Sequence, residues 1–244
     1  MALRKCEIVV LSRFPEIFEG FRESVDRDAP ELRKLVVWDS STRWKDQPSC
    51  PIPWTHVMTL FPFQMAKNAN HGFSRIHADS DILYCGDDTR IIEPNTIQRL
   101  QELAYSDPEI GILSARIQGT CCVGTPLAVT PEVQFVTYVG FVFIYIKREV
   151  IEKVGYLDER FKGYGTEDLE YCYRVRKAGF KIGVAVHIPV KHGVQGHTYG
   201  STFIKVRGEQ QMGRDDQENR RRFAEKYGIP NDAAAILEFI DKCE

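Results

Sequence analysis

The 244-residue chain lacks a long apolar run, a paired cysteine spacing and an excess of either charge. Its most apolar stretch, residues 134–146, is broken by Thr and Tyr and falls short of the roughly 20 residues that cross a bilayer. It reads as a buried strand, and no transmembrane segment is expected. The apolar run before Ser12 and Arg13 is about five residues long, too short for the core of a secretion signal. The seven cysteines (6, 50, 85, 121, 122, 172 and 243) are odd in number and scattered, which implies reduced thiols and a cytoplasmic location. The 32 basic and 34 acidic residues leave a formal charge of -2, so no overall field recruits nucleic acid or an anionic membrane. No repeat and no Gly/Ser/Pro linker divides the chain, and 43% hydrophobic residues suffice for one compact domain over 1–244.

What is present is an alternation of strand and helix patterns. Residues 7–12 (EIVVLS) form a β-branched run, followed by Ile17, Phe18, Phe21 and Val25 at helical spacing. Residues 32–38 again read as a strand, 42–62 as an ordered loop rich in Pro, Ser and Trp, and 63–78 as a helix. Residues 81–85 (DILYC) read as a buried strand, and Pro94 opens a helix reaching about residue 105. Strands follow near 111–119, 134–146 and 181–190, with a helix over about 166–178 ended by Gly179 and a charged helical tail from about 205. Such alternation predicts an α/β fold, a mostly parallel central sheet with helices on both faces, and ligands at the carboxyl ends of the strands. Ser12, Asp39 and the pair Asp87-Asp88 each follow a strand, so three loops are expected to converge there.

Two acidic groups stand out. Gly86-Asp87-Asp88 follows a hydrophobic strand, where turn chemistry alone can explain aspartates, but where hard oxygen ligands also suit Mg2+ or Mn2+ held between carboxylates and a substrate diphosphate. Thr166-Glu167-Asp168 opens a helix after Gly155, Gly163 and Gly165. Thr166 suits an N-cap and the acids suit the first turn, while the glycine density suggests tight turns that place a carboxylate in a cleft, where it can act as general base. His187, His192 and His197 recur every five residues, a spacing that fits no zinc site. The interleaved charges of 214–228, including Arg220, Arg221 and Arg222, read as a solvated helix face.

In order along the chain, IVVLSRF (8–14), VVWDSS (36–41), NHGFSRIHADSDILYCGDD (70–88) and the long block 140–179 resemble a family 2 glycosyltransferase of the GT-A type, the nucleotide-diphospho-sugar transferase fold. The resemblance implies a nucleotide-sugar-binding half over about 1–110, an acceptor-side half over about 111–204 and a helical C-terminal tail over about 205–244. It implies that Ser12 and Asp39 contact the nucleotide, Phe14 the base, and Asp87 the ribose or diphosphate, with Asp88 and His192 on a Mn2+ or Mg2+ ion. Asp168 becomes the general base and Glu167 shapes the acceptor pocket. The implied reaction is a metal-dependent, inverting, single displacement from a UDP-, GDP- or dTDP-sugar to a glycan or other hydroxyl acceptor.

The sequence departs from that pattern at Gly86, where the DXD-like motif has no first aspartate, and it has no QXXRW motif. The second departure argues against a processive synthase and for transfer of one sugar. Two other readings remain open. A sugar nucleotidyltransferase would require a Gly-rich basic loop after the first strand, which LSRFPEIFEG offers only sparsely. A non-catalytic carbohydrate- or protein-binding module on the same scaffold would be consistent with Gly86.

Overall fold

The computed structural model describes residues 3–12, 15–38, 54–59, 61, 63–118, 132–193 and 209–243. Nine strands form one sheet: β1 (Lys5–Ser12), β2 (Lys34–Trp38), β3 (Trp54–Met58), β4 (Ser80–Gly86), β5 (Thr89–Ile91), β6 (Ile110–Gln118), β7 (Val133–Phe135), β8 (Phe143–Ile146) and β9 (Lys181–His192). Their order is β3-β2-β1-β4-β8-β6-β9-β5, with β7 also on β9. The pairings of β1, β2, β3 and β4 are parallel, as is that of β6 with β9, while β8 is antiparallel to both β4 and β6. Six strands therefore share one direction, and β5, β7 and β8 oppose them.

The central strands are buried on both faces, which is why their sequences are continuous apolar runs rather than alternating ones. On one face Val9, Leu35, Tyr84 and Ile144 pack with Ala66, Ala69 and Phe73 of α2 (Met65–Phe73), Val150 and Ile151 of α4 (Arg148–Val154), and Tyr171 and Val175 of α5 (Glu167–Lys177). On the other, Ile8, Val10, Val36 and Leu83 pack with Phe18, Phe21 and Val25 of α1 (Pro15–Asp28) and with Ile97 and Leu100 of α3 (Thr96–Ser106). A third cluster joins Tyr173 of α5 to Phe223 of α6 (Glu209–Tyr227) and Ile236 and Ile240 of α7 (Ala233–Asp241). Glu170, fully buried between α5 and α6, receives Arg174, Lys226 at 2.6 Å and the Tyr227 hydroxyl at 2.8 Å. A buried carboxylate is tolerated only with such compensation.

Three local expectations fail. The stretch read as a loop over 42–62 contains β3, an edge strand held by parallel bonds to β2 and by the Trp38 indole N–H donating to His56 Nδ1 at 3.0 Å. Those partners are remote in sequence, so local composition does not report them. The single strand read over 134–146 is two strands, because β7 joins β9 whereas β8 inserts between β4 and β6; the partners that divide it are remote in sequence. The short helix α4 follows β8 where no helix was expected.

Candidate active site

The carboxyl ends of β1 and β4 lie in register, Leu11 opposite Gly86. Ser12 is thereby placed beside the turn after β4, and its hydroxyl donates to Asp87 Oδ2 at 2.6 Å with both residues buried. Thr89 closes the turn by donating to the Gly86 carbonyl at 2.8 Å, and Arg90 donates to the carbonyls of Asp87 and Ile17, tying the turn to α1. On the other side, β5 pairs Thr89 with His192 at the end of β9, and Gly193 N–H donates to the Asp88 carbonyl at 2.9 Å. This pairing sets His192 Nε2 3.3 Å from Asp88 Oδ2. The two aspartates thus turn apart, Asp87 toward β1 and Asp88 toward β9.

Among the described residues no three His, Cys, Asp or Glu side chains converge as a complete metal cage. Asp88 and His192 supply one carboxylate and one imidazole, a donor set that suits a divalent ion whose remaining positions are filled by phosphate oxygens and water. A Cβ at Gly86 would stand 2.9 Å from Asp88 Oδ1, so a side chain there would require the Asp88 carboxylate to shift. A first aspartate in the motif would displace the second.

The acidic turn before α5 is built from unusual backbone. Gly163 and Gly165 have φ of +75° and +98°, and Thr166 follows at +72°. A β-branched residue in the left-handed region is strained, and such strain persists only where surrounding structure enforces it. Thr166 stands at the N-cap position but makes no side-chain cap bond; its hydroxyl donates to Asp216 of α6 at 3.2 Å instead. The expected capping role is therefore corrected. Glu167 is buried, and that burial, with the charge of Asp168 beside it, pushes its carboxyl well up. Asp168 is half-buried, and desolvation pushes it up to about 6, with Asp216 adding and N–H donors of Leu169 and Phe141 opposing.

The two acidic sites meet through adjacent residues. Phe141 N–H faces the Asp168 carboxylate and opposes its upward shift, and the carbonyl of the next residue, Val142, accepts Gly86 N–H at 2.8 Å. Consecutive Cα atoms stand about 3.8 Å apart, so one dipeptide spans from the proposed base to the strand end that bears Asp87 and Asp88. Beneath it, the buried Tyr84 phenol lies in the fields of Glu167, Asp168 and Asp87, and packs edge to face on Phe73 and tilted on Phe141. Of the residues singled out in the sequence, Ser12, Asp87, Asp88, His192, Glu167 and Asp168 are brought together; Phe14 and Asp39 lie outside the described residues. His187 is exposed in β9, away from this pair. The sequence reading missed Asp215, Asp216 and Asn219, taken as part of a solvated face; their regular interleaving with arginines gave no sign that one side of α6 is covered. Arg221 does face outward, paired to Glu218 and Glu225, whereas Lys226 turns inward to Asp158 and Glu170.

No family model matches the sequence, and no curated protein matches it either. Solved structures do. The chain superposes with a TM-score of 0.66 and 14% identity on GalNAc-T7, solved with UDP, GalNAc and Mn2+, over 80% of this chain and 44% of that one. The mannosyltransferase PcManGT from Pyrobaculum calidifontis, in complex with GDP-Man and Mn2+, gives 0.65 at 13% identity over 93% of this chain and 65% of that one. The fold is of the GT-A type. S. aureus TarS 1-349, in complex with UDP-GlcNAc, gives 0.59 at 13% identity over 78% and 59%. The chain spans less than two thirds of each of these three proteins. Of the three loops expected to converge, those after β1 and β4 meet through Ser12 and Asp87, and the one bearing Asp39 lies outside the described residues, while two cavities of about 590 and 320 Å³ lie elsewhere, beside Phe135 and Leu237 and beside Arg99 and His187. Among the described residues no helix is long and apolar enough to cross a membrane.

Proposed function

We propose that the chain is a non-processive, family 2-like glycosyltransferase that moves one sugar from a nucleotide-diphosphate donor to an acceptor hydroxyl with inversion. The observation that supports this most is the Phe141-Val142 link, which sets a raised carboxylic acid, Asp168, beside the strand end bearing Asp87 and Asp88. A base tuned near neutrality takes a proton most effectively under working conditions. Asp168 would accept the proton of the acceptor hydroxyl as its oxygen attacks the anomeric carbon. The bond to the diphosphate breaks on the opposite face and its electron pair leaves with the phosphate. Glu167, its carboxyl pushed well up by burial, would shape the acceptor side, and Ser12 and Asp87 would meet the ribose or diphosphate. Asp88 and His192 would hold a Mn2+ or Mg2+ ion, which supplies charge neutralisation to the leaving group. Phe14 and Asp39 would complete the nucleotide site.

The free, buried thiols of Cys6, Cys85 and Cys172, pushed up by desolvation, suit a reducing compartment such as the cytoplasm and are not activated as nucleophiles. The test is incubation with UDP-, GDP- and dTDP-sugars plus Mn2+. Metal-dependent release of one nucleotide is expected. Silence and absence of binding across the panel would end the enzyme reading, and reaction of a nucleoside triphosphate with a sugar phosphate would replace it with a nucleotidyltransferase.

A further inference from the structure

We infer that Asn219, in the C-terminal helix α6, is a positioning residue that holds the Gly163–Thr166 turn and so aims the carboxylate of Asp168. The inference rests on the role proposed for Asp168. Asn219 is fully buried. Its Oδ1 accepts Lys162 N–H at 3.0 Å and Arg222 Nη1 at 2.8 Å, and its Nδ2 donates to the carbonyls of Lys162 at 3.0 Å and Gly165 at 2.7 Å. One side chain thus satisfies backbone groups at both ends of the turn, because an amide offers two N–H donors on one atom and an acceptor oxygen on the other.

The turn is pressed onto this same helix face. A Cβ at Gly163 would meet Asp215 Oδ2 at 2.2 Å, one at Gly165 would meet Asp216 Oδ1 at 3.0 Å, and the Thr166 hydroxyl already binds Asp216. Asp215, Asp216 and Asn219 share one face by their i, i+3 and i, i+4 spacing. From the opposite side, the Gly163 carbonyl accepts Met65 N–H at the start of α2. The helix itself is anchored independently, by Phe223 in the α5–α6–α7 cluster and by Lys226 on Asp158 and Glu170. The left-handed Thr166, which a β-branched residue adopts only under constraint, sits one residue beyond the carbonyl Asn219 holds. Released, Thr166 relaxes toward ordinary backbone and the first turn of α5 swings with it.

The experiment compares wild type, Asn219→Ala, Asn219→Asp and Phe223→Leu by donor kinetics and by hydrogen exchange of the turn. Asn219→Ala should lower kcat by about 10- to 100-fold, the cost of an ångström-scale misplacement, while leaving the donor KM unchanged and accelerating exchange over residues 162–168. Asn219→Asp keeps the acceptor toward Lys162 and loses the donor toward Gly165, so it should show the same split if the alanine variant fails to fold. Phe223→Leu should lower the melting temperature but leave kcat unchanged, separating positioning from stability. Wild-type kcat and wild-type exchange in the Asn219 variants would overturn the inference. If the wild type turns over no donor, faster exchange in Asn219→Ala still upholds the clamp, and the glycosyltransferase reading alone falls.

Discussion

Replacing Asp168 with Asn should raise the melting temperature at neutral pH while ending transfer. Burial lifts the Asp168 carboxyl from its ordinary 3.8 to about 6, so the native protein holds that proton more tightly than the unfolded chain does. Stability is therefore highest below 3.8, falls as pH rises through the interval to about 6, and stays lowered above it. At about 1.4 kcal/mol per pH unit, the full penalty near pH 7.5 is roughly 3 kcal/mol. Titration shared with Glu167, and the weaker hold of a neutral amide on the N–H groups of Leu169 and Phe141, reduce the gain for Asp168→Asn to about 1–2 kcal/mol. For a chain of this size each kcal/mol moves the midpoint by about 2–4 °C, so the variant should melt about 2–8 °C higher. Calorimetric melts at about pH 7.5 and about pH 4.5 measure it, and the difference should shrink at the lower pH, where the wild-type group is protonated. Donor affinity should be unchanged, since the base acts on the acceptor. A melting temperature equal to or below wild type at the higher pH would refute the placement of a strained, desolvated carboxylate, and retained turnover would remove Asp168 as base.

Asp88→Ala and His192→Ala should each weaken Mn2+-dependent donor binding in calorimetric titrations, because this 3.3 Å pair is the carboxylate and imidazole proposed to hold the metal; unchanged binding would dissociate them from the metal. Gly165→Ala should cost about 1–3 kcal/mol in urea denaturation, since its φ of +98° is left-handed and Asp216 stands against the added methyl; an unmoved midpoint would show that the turn is not constrained. Lys226→Met should cost about 1–3 kcal/mol, as buried Glu170 keeps Arg174 and the Tyr227 hydroxyl but loses its one cationic partner on α6; a midpoint equal to wild type would show that the ion pair adds nothing to the α5–α6 contact.

Much of this architecture is legible locally. EIVVLS and DILYC are unbroken apolar runs because β1 and β4 are covered on both faces, and the 3–4 spacing of Phe18, Phe21 and Val25 reports the single buried stripe of α1. What stays hidden depends on pairing at a distance. WTHVM becomes a strand only through β2, and residues 133–146 divide only because β9 and β4 claim different parts. The candidate site divides the same way. Ser12, Asp87, Asp88, Glu167 and Asp168 announce themselves by standing after strands or glycines, whereas Asn219 sits in a charged helix whose arginines mask the one covered face.

The sequence by itself determined the alternation of strands and helices in outline and the two acidic turns, because periodicity, turn chemistry and residue type are local properties. Only the tertiary structure decided that Asp87 turns to Ser12 and Asp88 to His192, that Gly86 clears room for Asp88, that Thr166 binds Asp216 rather than capping α5, and that Phe141 and Val142 join the two acidic sites. Apart from the short step from Gly86 to Asp88, each of those facts depends on partners far apart in the chain, and a carboxylate's proton affinity is set chiefly by burial in that surrounding structure.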